Sequence, residues 1–208
     1  MSTYALTVHS LFLDLASHQG LIACVGKDAV ISSTPVDNRV SDADLLPLLE
    51  KTVKQAKWEM KDIEKIVCVT GPGGFTSLRV GVSLANALAW GLKIPLAGLH
   101  LRDLWIARAN SSKLIAHSFF WLHSTKRELL FVGQGNQEPI PTPLSEFLES
   151  FQPGVMFTGE LLPEHEAALT KKGAIRAKES AIEEILPSLI ASLHLSEKPL
   201  EPWYGRGW

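Results

Sequence analysis

A glycine-rich turn that leads directly into a helix is the part of this chain best suited to chemistry. Residues 71–81 read Gly-Pro-Gly-Gly-Phe-Thr-Ser-Leu-Arg-Val-Gly, and they follow a β-branched apolar run at 66–69 that predicts a buried strand. The backbone N–H groups at a helix N-terminus attract anions, and Thr76 is placed to cap that helix. The residues that would form such a phosphate site are Gly71, Gly73, Gly74 and Thr76.

Two known phosphate-binding signatures fail to match this turn. A Walker-type loop ends in Gly-Lys-Ser/Thr, whereas no lysine occurs between Lys65 and Lys93. The dinucleotide-binding fingerprint requires a third glycine at the position of Thr76. The residues therefore leave two alternatives open, a turn that binds a phosphate and a tight strand-to-helix connection that binds no ligand.

Asp14 ends the first predicted strand, where a carboxylate could hold a magnesium-bound nucleotide or could bond to the backbone of the next turn. The histidines include no zinc-binding pair, and the sequence has no Gly-x-Ser-x-Gly elbow. Neither cysteine has a charged neighbour in the sequence that would activate its thiol. We therefore expect neither a metal site nor a catalytic nucleophile.

Composition is typical of a globular cytoplasmic protein. The 208 residues are 46% hydrophobic, which suffices for one large domain or two compact lobes. A net charge of −2 provides no basic field for direct nucleic-acid binding, and Cys24 and Cys68 lie in apolar runs that suit a core in a reducing compartment. The N-terminus lacks a signal-peptide pattern, and the apolar run 80–92 is too short to span a bilayer. We expect a cytoplasmic protein without membrane contact.

Short apolar runs and helical periodicities alternate in the order of a mixed α/β protein. The predicted strands are 11–16, 21–26, 29–34, 66–69, 95–99, 114–122, 128–133 and 155–158. The predicted helices are 41–57, 76–92, 101–109, 144–151, 163–171 and 178–193. Ser41 and Asp44 have capping-box spacing, Pro47 predicts a bend or a later start of the first helix, and three prolines at 139–143 indicate an extended connector.

This order predicts two α/β lobes, each with a mixed sheet flanked by helices. The front lobe, 1–100, carries the glycine turn. The second lobe, 101–208, is predicted to include the C-terminal helix and an aromatic tail, 201–208, which should dock on the chain or on a partner because exposed aromatic rings are unfavourable in water.

The helix after the glycine turn carries no charge between Arg79 and Lys93. A helix without a charged stripe is expected to be buried nearly all round. Gly81, Ala85 and Ala89 recur every fourth residue and would let another helix pack closely. Spacing alone favours a cover supplied by the second lobe, and a separate polypeptide is the alternative.

Segment 71–81 resembles the Gly-Pro-Gly-Ser-Phe-Thr-Gly-Leu-Arg-Ile-Gly signature of the bacterial TsaB (YeaZ) family. Asp14 and the segments 45–47, 94–96 and 202–206 also fall where that family has similar residues. The resemblance is dense over the first 100 residues and thin beyond them. It implies the two-lobed actin-like fold of the superfamily that contains acetate and sugar kinases, Hsp70 and actin.

The resemblance also implies a function. Members of the family are non-catalytic subunits that support TsaD, the enzyme that transfers threonylcarbamoyl to the tRNA adenosine next to the anticodon. The ATPase TsaE joins that assembly, tRNA is contacted only through the complex, and the subunit alone pairs with a second copy. No cofactor of its own is implied, since ATP or ADP would bind only at the interface with a partner. The alternatives are a nucleotide-dependent small-molecule kinase of the same superfamily, with Asp14 holding magnesium, and a peptidase, which the residues do not support.

Carried over onto this sequence, the resemblance assigns the partner interface to the helices 42–57 and 76–92. The predicted interface residues are Leu46, Leu49, Val53, Arg79, Val80, Gly81, Leu84, Ala85, Leu88 and Ala89. Gly74 and Ser77 replace the family's Ser and Gly, and His123 stands where an Asp is common. A nucleotide or phosphate site is therefore expected to be vestigial, and its residues would be Asp14, Gly71, Gly73, Gly74 and Thr76.

Overall fold

The computed structural model describes residues 8–37, 42–109, 119–135 and 137–205. Its strands are β1 (Ser10–Asp14), β2 (Gln19–Val25), β3 (Val30–Asp37), β4 (Lys65–Gly71), β5 (Leu96–His100), β6 (Phe119–Lys126), β7 (Leu129–Gln134), β8 (Ile140–Pro143), β9 (Met156–Glu160) and β10 (Ile175–Arg176). Its helices are α1 (Asp42–Gln55), α2 (Phe75–Leu92), α3 (Leu101–Arg108), α4 (Leu144–Ser150), α5 (Pro163–Lys171) and α6 (Ile182–Ser192). The chain forms two compact units, Met1–Leu101 with Ile182–Trp203 and Arg102–Ala181 with Tyr204–Trp208.

The sheet of the first unit has the strand order β3-β2-β1-β4-β5. β1 pairs antiparallel with β2 and parallel with β4, and β4 pairs parallel with β5. β1 is buried along its whole length and β4 along most of it, as expected for central strands covered on both faces. The three parallel strands end at Asp14, Gly71 and His100, so these residues lie along one edge of the sheet.

Helices cover this sheet. α2 lies mainly on β4, whereas α1 contacts β2 and β3. α1 continues through Pro47, and the predicted cap Ser41 lies outside the described residues. Within the described ranges, none of the helices combines the length and the apolar character needed to cross a membrane.

The second unit has a sheet of order β10-β9-β6-β7-β8. Its core contains Leu122, Leu130, Phe147, Phe157 and Leu169. The strand predicted at 114–122 is described only from Phe119 onward, because 110–118 lie outside the described residues. The predicted proline connector contains β8, an edge strand, where the missing N–H groups of prolines are tolerated.

The C-terminal helix belongs to the first unit, which corrects its predicted place in the second lobe. α6 contacts β3, and its apolar side chains Leu186 and Ile190 are buried. After α6, Ser196 forms an antiparallel bridge with Leu96 of β5. The segment therefore pairs with an edge strand that lies about a hundred residues earlier in the sequence, and local patterns carry no signal of such pairing. The end of the predicted aromatic tail, 206–208, lies outside the described residues.

Candidate partner-binding surface

The glycine turn joins the end of β4 to the start of α2. The Gly71–Pro72 peptide bond is cis, and Gly71 has φ +127°, which favours glycine. Gly74, in an extended conformation, is the N-cap of α2 and makes no side-chain capping bond. Thr76 lies inside the helix and is exposed, so the prediction that it caps α2 is wrong.

The carboxylate of Asp14 is 1% exposed and bonds to the turn that follows β1. Its Oδ1 accepts hydrogen bonds from the backbone N–H groups of Ala16 and Ser17, each at 3.0 Å, and its Oδ2 accepts a 2.6 Å bond from the Ser17 hydroxyl. Of the two alternatives left by the sequence, the structure shows the carboxylate that bonds to the next turn. The negative charge of Asp14 also affects Cys68. Burial is the larger cause and the Asp14 charge the smaller cause that raise the pKa of the Cys68 thiol far above its ordinary range.

The turn after Asp14 packs directly against the glycine turn. A methyl group on Gly73 would come within 2.5 Å of the Ala16 carbonyl oxygen, and one on Gly81 would lie 3.3 Å from the Leu15 side chain. The glycines therefore let two backbone segments approach each other closely. The structure thus brings the predicted nucleotide-site residues Asp14 and Gly73 into neighbouring turns, while Thr76 faces solvent.

α2 is buried on one face only, contrary to the prediction that it is buried nearly all round. The buried residues are Leu78, Gly81, Val82, Ala85 and Ala89. The small residues of this set lie against the unit's own sheet, because a helix approaches a sheet most closely where its side chains are short. The predicted helix-packing seam is therefore an internal contact.

The ten predicted interface residues divide by exposure. Those buried in the chain itself are Leu49, Val53, Gly81, Ala85 and Ala89, so they cannot contact a partner directly. Val80, Leu84 and Leu88 are half-buried, whereas Arg79 is exposed and Leu46 is 52% exposed. The five buried residues lie on the apolar stripes of α1 and α2, and these stripes pack against the sheet.

The solvent-facing side of α2 exposes two large aromatic side chains. Trp90 is 85% exposed and Phe75 is 55% exposed, and neither was predicted as an interface residue. The guanidinium of Arg79 lies 5.1 Å from the centre of the Phe75 ring. We call this surface the outer α2 face, which comprises Phe75, Arg79, Val80, Leu84, Ala87, Leu88 and Trp90. The sequence contained a signal for this surface: a helix with a single charged residue has too few polar side chains to cover its solvent-facing side, so large apolar residues are exposed there.

A serine and a histidine meet in the second unit although 41 residues separate them. Ser124 Oγ lies 2.8 Å from Nδ1 of His165, and Nε2 of His165 lies 2.6 Å from the Arg127 carbonyl oxygen. The backbone N–H of Leu162 donates to Ser124 Oγ at 3.1 Å. Both side chains are fully buried, so this pair ties α5 to the β6–β7 hairpin and has no access to a substrate.

A second polar network in this unit surrounds Arg176. Its Nε donates to Glu166 at 2.7 Å, and one terminal nitrogen donates to Glu179 at 3.1 Å. Burial would lower the pKa of Arg176, but hydrogen bonds and charges from the two glutamates raise it. Arg108 Nε donates to the Ser180 carbonyl oxygen, and these bonds fasten β10 and the following loop to the unit.

Comparison with known proteins relates the chain to tRNA modification. The profile of the TsaD family, tRNA N6-adenosine threonylcarbamoyltransferase, matches residues 38–137. The tRNA threonylcarbamoyladenosine biosynthesis protein TsaB of Buchnera aphidicola is 28% identical over 99 residues, which is 48% of this chain and 47% of that protein. TsaB of Bacillus subtilis is 30% identical over 90 residues, 43% of this chain and 39% of that protein. In these matches the chain spans less than half the length of its relatives.

Matches to an enzyme and to solved structures extend this relation. A tRNA N6-adenosine threonylcarbamoyltransferase of Syntrophus aciditrophicus is 43% identical over 56 residues, 27% of this chain and 17% of that enzyme. A Pseudomonas aeruginosa protein described as similar to peptidase YeaZ has a TM-score of 0.68 at 17% identity, covering 96% of this chain and 100% of that chain. YeaZ from Pseudomonas aeruginosa gives 0.67 at 16% identity, covering 94% and 99%. The two mixed sheets and these structures confirm the predicted actin-like fold, and over less than half of its length the chain is similar in sequence to TsaB proteins.

Proposed function

We propose that this chain is a non-catalytic subunit that docks through the outer α2 face onto a TsaD-type threonylcarbamoyltransferase. It thereby supports threonylcarbamoylation of the tRNA adenosine next to the anticodon. The main support for this proposal is Trp90, whose side chain is 85% exposed on that face. Large exposed aromatic side chains and arginine on a helix face are typical of the centre of a protein–protein interface.

The choice of partner rests on the relation between this chain and the transferases. The TsaD family profile matches residues 38–137, a segment that contains both α1 and α2. A transferase of that family therefore carries a counterpart of the same helix pair. Two related helix pairs can pack about a pseudo-two-fold axis in the way that two identical patches do. The same geometry makes a homodimer the expected state of the chain alone.

The buried chemistry supports a role without catalysis. Asp14 holds its own turn, and the pair Ser124–His165 is enclosed in the second unit. We propose that ATP or ADP binds only at the interface with a partner. We also propose that the chain contacts TsaE and tRNA only within the assembled complex. A cytoplasmic location fits the two free, buried thiols, Cys24 and Cys68, which a reducing compartment preserves.

Co-purification with the cognate TsaD-type subunit tests the proposal. We expect the two proteins to elute together from a sizing column at micromolar concentration. Trp90→Ala should weaken the complex at least tenfold, because truncation of a central aromatic residue commonly costs about 2 kcal/mol or more. Ile140→Ala is the matched control, since Ile140 is 62% exposed but lies on β8 of the second unit. Separate elution of the unsubstituted proteins would contradict the proposal.

A further inference from the structure

The segment that follows α6 returns along the first unit in extended form. We call residues 193–203 the C-terminal strap. Near its start, the backbone groups of Ser196 and Leu96 exchange two hydrogen bonds of 2.8 and 2.9 Å on the edge strand β5. At its end, the N–H of Trp203 donates a 2.7 Å bond to the Thr70 carbonyl oxygen, and the indole meets the His100 ring edge-on at 4.6 Å. Both ends of the strap are therefore fixed to the sheet.

The middle of the strap is fixed to α2 by one side chain. Asn86 Nδ2 donates a 3.0 Å hydrogen bond to the Leu200 carbonyl oxygen, and Asn86 Oδ1 accepts a 2.8 Å bond from the Leu200 N–H. The amide of Asn86 thus pairs with Leu200 as a neighbouring strand would. The Leu200 side chain lies over Gly98, where a methyl group would come within 3.2 Å of Leu200 Cδ2. Leu200 therefore joins α2 to β5.

The position of Asn86 on the helix links the strap to the outer α2 face. Residues four apart are neighbours on a helix surface, so Asn86 lies directly beside Trp90. Asn86 is half-buried and Trp90 is exposed, which places the border of the outer α2 face at the strap. Glu201, which follows Leu200, is exposed, as are Glu197 and Lys198 earlier in the strap.

We infer that Asn86 is a positioning residue that holds the C-terminal strap beside the outer α2 face, so that a TsaD-type subunit docks on a composite surface of helix and strap. This inference rests on the proposed function and adds a second element to its site. A strap that is already ordered loses little conformational freedom when the partner binds. A released strap must be ordered during docking, and each immobilised side chain then weakens binding.

The full chain provides the test, with two independent measurements. Hydrogen exchange of the Leu200 amide reports on the strap, and calorimetric titration with the TsaD-type subunit reports on docking. Asn86→Ala should accelerate Leu200 exchange at least tenfold and weaken docking about tenfold, because it removes both bonds to Leu200. Asn86→Asp keeps the acceptor for the Leu200 N–H and should give intermediate values in both measurements.

Two further variants separate the possible causes. Ser188→Ala removes an exposed hydroxyl on α6 that bonds to Ile185, and it should change neither measurement. Trp90→Ala should weaken docking without accelerating Leu200 exchange, because the side-chain bonds that hold Leu200 come from Asn86.

The outcomes distinguish this inference from the proposed function. Faster Leu200 exchange in Asn86→Ala with unchanged docking would overturn the composite surface but leave docking through α2 intact. Unchanged Leu200 exchange would show that Asn86 does not hold the strap, and it would overturn the inference at its first step. Absence of docking by the unsubstituted chain would remove the proposed function itself.

Discussion

The Ser17 hydroxyl donates a 2.6 Å hydrogen bond to Oδ2 of Asp14, whose carboxylate is buried at the carboxyl edge of the first sheet. Replacement of Asp14 by alanine would leave the N–H groups of Ala16 and Ser17 without this acceptor. We expect Asp14→Ala to lower the free energy of unfolding by about 3 kcal/mol, measured by urea denaturation. Asp28→Ala is the control, because Asp28 lies exposed in the β2–β3 turn and should change stability little.

Asp14→Ala also tests the alternative that the chain is a nucleotide-dependent kinase. We expect calorimetry to detect no binding of magnesium-bound ATP to the unsubstituted isolated chain. Binding that Asp14→Ala abolishes, in a variant that remains folded, would instead favour a nucleotide site at this edge of the sheet.

Interface probes on α1 and α2 must take burial into account. Ala85 is 0% exposed, so Ala85→Arg would force a charge into the contact between α2 and the sheet and lower the free energy of unfolding by about 4 kcal/mol. Leu46 is 52% exposed, and Leu46→Arg should change stability by less than about 0.5 kcal/mol while weakening the complex with the TsaD-type subunit. Thermal unfolding and sizing chromatography of both variants measure the two effects separately. Normal stability of Ala85→Arg would contradict the buried position of that residue.

The buried serine in the second unit is expected to affect stability alone. Ser124→Ala removes the partner of His165 Nδ1 and the acceptor for the Leu162 N–H. We expect a loss of about 2 kcal/mol in the free energy of unfolding, measured by chemical denaturation. Peptidase or esterase activity that depends on Ser124 would show that the pair is accessible after all.

The pKa of Cys68 predicts how stability changes in alkaline solution. Burial and the charge of Asp14 raise the pKa of this thiol in the folded chain, while in the unfolded chain it returns to the ordinary value of 9.0. The unfolded state therefore loses a proton first, so this contribution to stability is complete below pH 9.0 and decreases as the pH rises above it. The expected slope is about 1.4 kcal/mol per pH unit.

A comparison with Cys68→Ala isolates this effect. The variant should be less stable at neutral pH because of the cavity it creates, but its unfolding free energy should decrease less steeply above pH 9.0. Equal slopes in both proteins would mean that Cys68 ionises with an ordinary pKa in the folded chain.

Much of the first unit could be predicted from the sequence because its signals are local. Three short apolar runs separated by polar turns predict hairpins, and β1, β2 and β3 form them. A strand, a glycine turn, a helix and a second strand predict the β4–α2–β5 unit.

The predictions that were wrong concern contacts between residues far apart in the sequence, or which side of a helix faces solvent. Composition shows that α2 carries no charge after Arg79, but it does not separate a buried side from an apolar surface, so neither the exposure of Trp90 nor the one-sided burial of α2 was predicted. The bond between Ser124 and His165 and the return of α6 to the first unit depend on pairings across long stretches of chain. Such contacts leave no periodic signal in the sequence.

The first unit is assembled from two stretches of sequence with the second unit between them. On the ribosome, β5 emerges long before residues 182–203, and translation at about 5–20 residues per second delays their arrival by several seconds. During that interval the edge of β5 lacks the pairing that Ser196 later provides. The nascent chain therefore has a temporary unpaired strand edge, and chaperones are expected to bind it until residues 182–203 have emerged.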